Sequence, residues 1–385
     1  MSTEEDRAFE AEREIGRINA FFPILPTLGN RWAASRPWEG KTVALNLHLT
    51  TLSAALVREL VLGGGTFVVS AASPATTDKR TVSMLRSQGI DVYTGGDGED
   101  RHLQALSHDP DIIGDCGFEL IQTALKKRKD LTRRIAGAVE STRSGIVRLH
   151  EAKVPFPVVN INDGRLKTAV ENRHGVGEAI WQAVQRMTGM HLSGRRVGVV
   201  GYGPVGKGLA AYARAAGMCV EVVERDPIKR LLAHYDGFPT PSLDDAAQRV
   251  GVLVTATGRP RSIALEHVVR ARDGLVLINA GHGGDELDMA GLEGASAQVD
   301  HVADGVVRYR LHGGPRITVL GGGHPLNIVL NSGSPEPVLL QFALLGLALD
   351  WVAHAELDKG EVLVPSALED QAAELALQAL DQAGG

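Results

Sequence analysis

The sequence predicts an α/β protein built on two doubly wound parallel sheets, with a helical segment at the C-terminal end. Short apolar stretches of strand length alternate with stretches of helical spacing, which is the pattern of a parallel sheet covered by helices. The alternation begins twice, near residue 42 and again near residue 194. From about residue 338 onward the chain is mostly helical and rich in Ala and Leu.

The first block of alternation is preceded by about 40 residues that read as a charged helix followed by a loop. Pro23, Pro26 and Pro37 mark that loop. The block itself then predicts strands at 42–47, 66–70 and 91–94 and helices at 48–62 and 76–88.

The second block predicts strands at 196–200, 220–223, 252–255 and 275–278. Its last two strands are followed by small or polar residues, including Thr257 after one and Asn279 and Gly281 after the other. Ligands of open α/β sheets bind beyond the carboxyl ends of the strands. These two strand ends are therefore candidate binding positions.

The two blocks suggest a domain division. We expect a substrate-binding α/β domain at 1–175 that is completed by about 334–368, a second domain at 190–327, and a helical tail at 369–385. Hinges are predicted near 172–193 and 327–337.

Composition excludes several classes of protein. The formal net charge is -6 and the pI is about 6.1, so a nucleic-acid partner is not expected. Two cysteines rule out a disulfide framework, and Cys219, on an apolar strand, is expected to be a core residue. The acidic first residues do not resemble a secretion signal. The longest apolar run, 337–352, is interrupted by Gln341, Gly346 and Asp350 and reads as too short and too polar to span a membrane. We expect a cytoplasmic protein with no metal site.

A glycine-rich junction in the second block predicts a dinucleotide site. Gly201, Gly203 and Gly206 form a G-x-G-x-x-G pattern between the strand at 196–200 and a predicted helix at 206–216. Glycine is needed there for a tight turn, for close approach of a pyrophosphate, and for helix–strand packing. Glu224 stands 18 residues beyond Gly206, close to the offset of the acid that binds the adenosine ribose. A Rossmann NAD-binding domain is predicted, and Arg225 leaves NADP as the alternative.

Several motifs resemble those of the S-adenosylhomocysteine hydrolase family. They run in order over about residues 40 to 380: Leu47-His48-Leu49-Thr50, Asn160-Ile161-Asn162-Asp163 with Lys167 and Glu171-Asn172, Gly201-Tyr202-Gly203-Pro204-Val205-Gly206, Asn279-Ala280-Gly281-His282, Val307-Arg308-Tyr309-Arg310-Leu311, Asn327, and Gly360-Glu361-Val362-Leu363-Val364-Pro365.

The resemblance implies a reaction. In that family, tightly bound NAD oxidises the 3′-hydroxyl of a nucleoside, the 5′-thiol is eliminated, water adds, and the ketone is reduced back. It implies that Lys167 helps to deprotonate the 3′-hydroxyl beside Asn162, with Glu171 as the nearby carboxylate. His48 is implied to act at C5′, and His282 is implied to act at the ribose hydroxyls.

The resemblance also implies binding residues. Substrate contacts are expected from Thr50, Cys116 and Ser141. Cofactor contacts are expected from the loop and strand-end residues Gly201, Gly203, Pro204, Val205, Gly206, Glu224, Asn172, Thr142, Thr257, Asn279, Gly281 and Asn327.

The departures from the family pattern fall in the substrate half. Cys116 stands where the family has a catalytic aspartate, and Ser141 replaces the glutamate that binds the ribose hydroxyls. Leu52 replaces a polar residue that reads the adenine edge, and Ser334 replaces a histidine. Asp115, Glu119 and Glu140 are the acids that could take their place. Unpaired buried polar groups cost on the order of 1–3 kcal/mol each, so a changed substrate is predicted.

The sequence thus predicts an NAD-dependent hydrolase or lyase acting on a nucleoside-like or sugar substrate other than S-adenosylhomocysteine, by elimination and hydrolysis or by epimerisation. Two alternatives stay open: an NAD-dependent dehydrogenase that releases NADH, and an NAD-binding pseudoenzyme that regulates a partner. A homodimer or homotetramer is predicted because the stretch 338–355 looks too apolar for a free surface.

Overall fold

The computed structural model describes residues 3–281, 285–330 and 332–383. Fourteen strands lie in these residues: β1 Thr42–Leu47, β2 Thr66–Ala71, β3 Asp91–Tyr93, β4 Ile112–Asp115, β5 Gly137–Glu140, β6 Pro157–Asn160, β7 Arg196–Val200, β8 Cys219–Val223, β9 Val252–Thr255, β10 Leu275–Asn279, β11 Ser296–Ala303, β12 Val306–Leu311, β13 Arg316–Leu320 and β14 Gly360–Leu363.

The described α-helices are α1 Glu4–Phe21, α2 Ile24–Ser35, α3 Thr51–Val61, α4 Lys79–Ser87, α5 Gly98–Leu106, α6 Glu119–Lys127, α7 Arg143–Glu151, α8 Val176–Thr188, α9 Pro204–Ala215, α10 Pro227–Tyr235, α11 Leu243–Arg249, α12 Leu265–Val268, α13 Met289–Gly294, α14 Leu326–Val329, α15 Pro335–His354 and α16 Ser366–Ala383. A π-helical segment, Lys167–Gly175, leads directly into α8.

The chain forms two compact units. Unit 1 contains the residues up to Lys167 together with the chain from Pro335 onward, and unit 2 contains Thr168–Ser334. Each unit holds one seven-stranded sheet, so the predicted α/β class with two parallel-dominated sheets is confirmed.

The sheet of unit 1 has the order β14-β6-β5-β4-β1-β2-β3, and all of its pairings are parallel. From β1 the chain builds outward to β2 and β3 on one side and then to β4, β5 and β6 on the other. The order therefore reverses between β1 and β4. In open α/β sheets a ligand crevice lies at the carboxyl ends of such a pair of strands.

The sheet of unit 2 has the order β11-β12-β13-β10-β9-β7-β8. Its strand order reverses between β7 and β9, which places the ends of these two strands side by side. β12 pairs antiparallel with both β11 and β13, so one edge of this sheet departs from the wholly parallel arrangement that the sequence predicts.

The N-terminal region departs from prediction, because α2 forms where a proline-marked loop is expected. Pro23 stands at the N-cap of α2 and Pro26 in its first turn, where proline is tolerated since those N–H groups have no helical partner. Leu25, Leu28 and Trp32 then recur at helical spacing and are fully buried.

The start of α3 also departs from prediction. Thr50 is its N-cap: the Thr50 hydroxyl accepts a hydrogen bond from Ser53 N, and Ser53 Oγ accepts one from Thr50 N. This reciprocal capping box fixes the helix start at Thr51. His48 therefore lies in the connection between β1 and α3 rather than in the helix.

The apolar run near the C-terminus belongs to a 20-residue helix, α15, which is longer than the sequence indicates. By length and composition alone it is long and apolar enough to cross a membrane, yet 61% of its most apolar window is buried inside the structure. Leu339, Leu344 and Leu349 are fully buried in unit 1. Packing within unit 1 thus accounts for the apolarity that suggested an oligomer.

Two smaller expectations differ from the structure. Cys219, predicted as a core residue, is exposed because it is the first residue of β8, an edge strand. The C-terminal tail predicted from residue 369 is part of α16, which begins at Ser366 and belongs to unit 1.

Candidate cofactor and substrate sites

The glycine loop of unit 2 follows β7 and leads into α9. Glycine is favoured at each of its three positions for a different steric reason. Gly201 has φ +100°, a conformation that residues with a side chain rarely adopt. A Cβ at Gly206 would lie 2.0 Å from the Gly201 carbonyl oxygen, so the third glycine permits close packing of helix on loop. A Cβ at Gly203 would meet nothing within 4 Å. The open space over Gly203 is where a pyrophosphate can approach the backbone.

The N-terminus of α9 faces this open space. Gly203 is its N-cap, Pro204 occupies the first turn and Val205 follows. The first N–H groups of a helix have no helical partner and carry a partial positive charge, which suits a phosphate. Because Pro204 lacks an N–H, the donors come from the residues that follow it.

Glu224 comes directly after β8 and holds the glycine loop. Its carboxylate accepts hydrogen bonds from Tyr202 N at 2.7 Å and from Asp226 N at 2.9 Å. A carboxylate offers about four acceptor positions, so two remain for a ribose diol. Glu224, which the sequence predicts to bind the adenosine ribose, thus lies at the glycine loop.

Other predicted cofactor residues of unit 2 follow β9, β10 and β13. Asn327 Oδ1 is buried and has no hydrogen-bond partner among the described residues, which leaves an acceptor that fits an amide NH₂ such as that of nicotinamide. Asn279 is fully buried and donates to Gly323 O at 2.8 Å while its Oδ1 accepts from Gly281 N. Asn279 thereby fixes the backbone at Gly281.

Four other predicted site residues are Lys167, Glu171, Asn172 and His282. Lys167, Glu171 and Asn172 lie in the π-helical segment, which is half-buried over these three residues. Such segments are rare and often occur at functional sites. His282 lies outside the described residues.

The open space above Gly203, the donors of α9, the ribose acid Glu224 and the unpaired acceptor on Asn327 together fit NAD. When NAD is bound, Gly201, Gly203 and Gly206 would hold its pyrophosphate, Glu224 its adenosine ribose and Asn327 its nicotinamide carboxamide. These features define unit 2 as a Rossmann NAD-binding domain.

In unit 1, His48 lies at the carboxyl end of β1, beside the point where the strand order reverses. Its Nδ1 lies 2.6 Å from Thr76 Oγ1, in the connection after β2. Burial lowers the pKa of His48 to about 4, because the protonated ring would lose its hydration. His48 is therefore neutral at physiological pH, with Nδ1 oriented by Thr76.

Asp115 ends β4, the strand across the reversal from β1. Its carboxylate accepts hydrogen bonds from Asn46 Nδ2 at 3.0 Å and from the backbone N–H groups of Cys116 and Ile121, both at 2.8 Å. Asn46 in turn accepts from Ser70 Oγ at 3.1 Å, so a buried polar row crosses the ends of β2, β1 and β4. Asp115 is only 1% exposed.

Glu140 ends β5 and is in register with Asp115 on the neighbouring strand. It is fully buried and accepts four hydrogen bonds, from Gly117 N, Phe118 N, Thr142 N and Thr142 Oγ1, at 2.7–3.1 Å. Burial raises the pKa of both carboxyls above the ordinary range, and the charge of Asp115 raises that of Glu140 further. Both acids thus accept hydrogen bonds from the segment that follows β4, and Asp115 also binds Asn46 on β1.

The positions where the family has catalytic and ribose-binding acids are occupied by neutral groups. Cys116 is buried, and burial together with the charges of Glu140 and Asp115 raises the pKa of its thiol well above the usual range. Ser141 Oγ donates to Asp115 O at 3.2 Å. Glu119, the first residue of α6, is partly exposed and 3.5 Å from Arg148, and burial raises the pKa of its carboxyl.

Three other predicted residues have local structural partners. Thr50 and Thr142 are the N-caps of α3 and α7. Asn162 is 5% exposed and donates to Asp163 Oδ1 at 2.8 Å. These caps place both threonines at strand ends, but their hydroxyls already bind backbone N–H groups.

Sequence reasoning missed the residues that hold the strand ends in place. Asn46 and Ser70 are not singled out by any sequence motif, and neither is Glu286, a fully buried carboxylate in unit 2. A polar residue at the last or next-to-last position of an apolar strand was the available signal for Asn46 and Ser70.

A model of the family described as "S-adenosyl-L-homocysteine hydrolase, NAD binding domain" matches residues 172–333. An S-inosyl-L-homocysteine hydrolase from Methanopyrus kandleri is 35% identical over 371 residues, covering 93% of this chain and 88% of the relative. An adenosylhomocysteinase from Pyrococcus abyssi is 32% identical over 383 residues, covering 96% and 91%. A second S-inosyl-L-homocysteine hydrolase, from Methanocaldococcus jannaschii, is 31% identical over 383 residues, covering 96% and 92%.

The chain belongs to the S-adenosylhomocysteine hydrolase family. It is an NAD-binding enzyme of the hydrolase type, and the predicted family and cofactor are confirmed.

Proposed function

We propose that the enzyme cleaves the thioether of a nucleosylhomocysteine other than S-adenosylhomocysteine, with S-inosyl-L-homocysteine as the leading candidate. The observation that carries this proposal is the altered lining of the substrate half, where Leu52, Cys116 and Ser141 stand at positions that the family fills with polar or charged groups. Asp115 and Glu140 are buried and already accept three and four hydrogen bonds, so they do not restore the family pattern.

Two further observations support a 6-oxopurine in place of adenine. Leu52, which has no hydrogen-bonding group, stands where the family reads the adenine edge with a polar residue. Without that polar residue, adenine loses the hydrogen bond by which the family selects its 6-amino group. Two of the relatives are named S-inosyl-L-homocysteine hydrolases.

The chemistry follows that of the family. When bound, NAD would supply hydride transfer at a hydroxyl-bearing sugar carbon, with no net change in its own oxidation state. Lys167 takes the hydroxyl proton at Nζ, and the resemblance assigns Asn162, Glu171 and His282 to the same sugar. The proton of the neighbouring C–H group passes to His48 and on to the sulfur as the C5′–S bond breaks, which releases homocysteine. Water then adds across the resulting double bond, with its hydroxyl at C5′ and its proton at the neighbouring carbon.

His48 acts at the C5′ end. Since Thr76 holds Nδ1, Nε2 is the nitrogen that takes a proton from the added water. A pKa of about 4 keeps this nitrogen unprotonated at neutral pH, as a base requires. The resemblance assigns Thr50, Cys116 and Ser141 to the substrate, and it assigns Asn172, Thr142, Thr257, Asn279 and Gly281 to NAD.

The test is an assay of homocysteine release from S-inosyl- and S-adenosyl-L-homocysteine by the NAD-loaded enzyme, with Lys167→Ala as the inactive control. We expect the inosyl compound to be turned over about ten-fold or more faster than the adenosyl compound, because the adenine edge lacks a buried hydrogen bond worth about 1–1.5 kcal/mol. Adenosyl turnover equal to or faster than inosyl turnover would refute the proposal. Net NADH accumulation would instead indicate a dehydrogenase.

We also propose that the chain forms a homo-oligomer. The support comes from the exposed surface of α10 and not from the apolar helix α15, which is mostly buried in its own unit. Helix α10 presents Ile228, Leu231, Leu232 and Tyr235 at helical spacing, and all four are exposed, by 43–76%. The one buried residue of the helix, Ala233, points to the opposite side. The apolar stripe of α10 therefore faces away from its own unit.

The proposed occupant of this stripe is α16 of a second copy. The exposed surface of α16 carries Leu377 and Leu380 beside Glu374 and Asp381, whereas Lys229 and Arg230 flank the stripe of α10. Apolar side chains and opposite charges are thus matched between the two helices.

A cytoplasmic location stays a prediction.

A further inference from the structure

Glu286 is a fully buried carboxylate in unit 2 that follows the undescribed residues 282–284. It accepts hydrogen bonds from the connection after β9: from Thr257 N at 2.9 Å, from Thr257 Oγ1 at 2.8 Å, and from Gly258 N at 2.8 Å. The hydroxyl of Thr255, the last residue of β9, is its fourth donor.

The same carboxylate lies against the segment after β10. A Cβ at Gly281 would lie 1.5 Å from Glu286 Oε1, so a side chain there would displace the carboxylate from its present position. The backbone around Glu286 is paired with a neighbouring segment, because Ile263 N donates to Glu286 O and Asp288 N to Ile263 O, both at 3.1 Å. Glu286 therefore connects the ends of β9 and β10.

A contact leads from this carboxylate to the glycine loop. The connection that Glu286 holds includes Ala256, whose carbonyl oxygen would be 2.8 Å from a Cβ at Gly201. The first turn of the phosphate loop thus packs directly on the segment that Glu286 fixes. A shift of that segment would move Gly201 and Thr257 together.

An ionised carboxylate fits this position better than any neutral side chain. Its four partners are all donors, and a carboxylate has about four acceptor positions and no proton to give. A glutamine would turn an NH₂ group toward at least one of these donors, which would leave a buried N–H or O–H without an acceptor. Removing a buried charge from water is costly, so the position is specified tightly.

We infer that Glu286 is a positioning residue for NAD: it fixes the connection after β9 and the close approach of Gly281, and so sets the shape of the cofactor site. The inference depends on NAD binding to unit 2 and is independent of the proposed substrate. A change of substrate in the thioether assay would therefore leave it intact.

The test is the affinity of the cofactor-free protein for NAD, measured by calorimetric titration for the wild type and Glu286→Gln. We expect the dissociation constant to rise about 10- to 100-fold, since a buried donor loses its acceptor. The matched control is Glu59→Gln, which replaces a buried carboxylate of α3 in unit 1 that accepts hydrogen bonds from Arg58. It should lower the melting temperature and leave NAD affinity unchanged.

A second pair of variants keeps the inference testable if Glu286→Gln does not fold. Thr255→Val removes one donor to Glu286 without changing side-chain shape, whereas Thr255→Ser keeps the hydroxyl. We expect NAD to bind about three- to ten-fold more weakly to the valine variant and normally to the serine variant. NAD affinities within two-fold of wild type in the folded variants, with only the melting temperature lowered, would overturn the inference.

Discussion

Asp115 and Glu140 face each other in register across β4 and β5, and both are buried at the carboxyl end of the sheet of unit 1. Two acids this deep are tolerated because each is surrounded by donors, most of them backbone N–H groups, and because burial raises the pKa of both and so favours their neutral forms. That turn includes Gly117 and Phe118, both at positive φ. The acid pair thus stabilises a turn that would otherwise be strained.

The first prediction is that Glu140→Gln destabilises the protein. Gly117 N or Phe118 N would face an amide NH₂, which costs about 1–3 kcal/mol. The melting temperature should fall by roughly 2–10 °C in calorimetry. Glu119→Gln, at a partly exposed acid in the same region, should change it little. Equal melting temperatures for Glu140→Gln and the wild type would show that this carboxylate does not hold the turn.

The second prediction concerns pH. The pKa of His48 is lowered from 6.5 to about 4 in the folded state. The unfolded chain therefore binds a proton here between these values, so its contribution to stability is complete above about pH 6.5 and is lost as pH falls toward 4. At pH 5 the loss should be about 2 kcal/mol relative to pH 7.5.

The measurement is the free energy of unfolding at both pH values for the wild type and His48→Gln. The glutamine variant should lose less stability on acidification, since it cannot be protonated. NMR of the wild-type imidazole should show no protonation of His48 between pH 8 and pH 5.5. A His48 titration near pH 6.5 would contradict the burial argument.

The third prediction is a preference for NAD over NADP. Glu224 lies at the glycine loop with its carboxylate bonded to Tyr202 N, where a 2′-phosphate would meet like charge. The wild type should bind NAD at least about 100-fold more tightly than NADP, since like-charge contact costs several kcal/mol. Glu224→Gln should narrow this ratio to about ten-fold or less. Asp226→Asn keeps the cap of α10 and serves as the control; equal wild-type affinities would disprove the assignment.

The cofactor half of the fold could be predicted closely because its signals are local. The strands at 196–200 and 252–255 have the predicted bounds, and the roles of Gly201, Gly203 and Gly206 follow from spacing along a few residues. The anchors of the substrate half could not be predicted. Asp115 and Glu140 meet only because β4 and β5 are neighbours in register, which no local pattern reveals.

Errors in the prediction have similar causes. The prolines at the start of α2 predict a loop, although the first turn of a helix accepts proline. Cys219 and α15 were misjudged because exposure depends on where a strand or helix lies in the fold: Cys219 begins an edge strand, whereas α15 is mostly buried.

The fourth prediction addresses oligomerisation. If α10 packs on a second copy, Leu231→Glu should dissociate the oligomer by placing a charge in the apolar contact. Sedimentation at micromolar concentration should show a dimer or larger species for the wild type and a monomer for the variant. Val147→Glu, at an exposed apolar residue of α7, is the control. A monomeric wild type, or an assembly unaffected by Leu231→Glu, would rule out this interface.

The last prediction links substrate choice to one side chain. Leu52 lies in the first turn of α3, next to the N-cap Thr50 and near His48 in sequence, at the strand end that the family uses to bind the base. If its apolar side chain is what disfavours adenine, Leu52→Gln should supply an acceptor for the 6-amino group. A restored buried hydrogen bond is worth about 1–1.5 kcal/mol, so the kcat/KM ratio of S-adenosyl- to S-inosyl-L-homocysteine should rise about ten-fold.

The control is Leu52→Met, which keeps the volume and apolarity of the side chain and should leave this ratio unchanged. The change should appear in the ratio even if overall turnover falls, because Cys116 and Ser141 still lack the acids of the family. If the kcat/KM ratio of the two substrates is unchanged in Leu52→Gln, the preference for one nucleobase is set by other residues of the site.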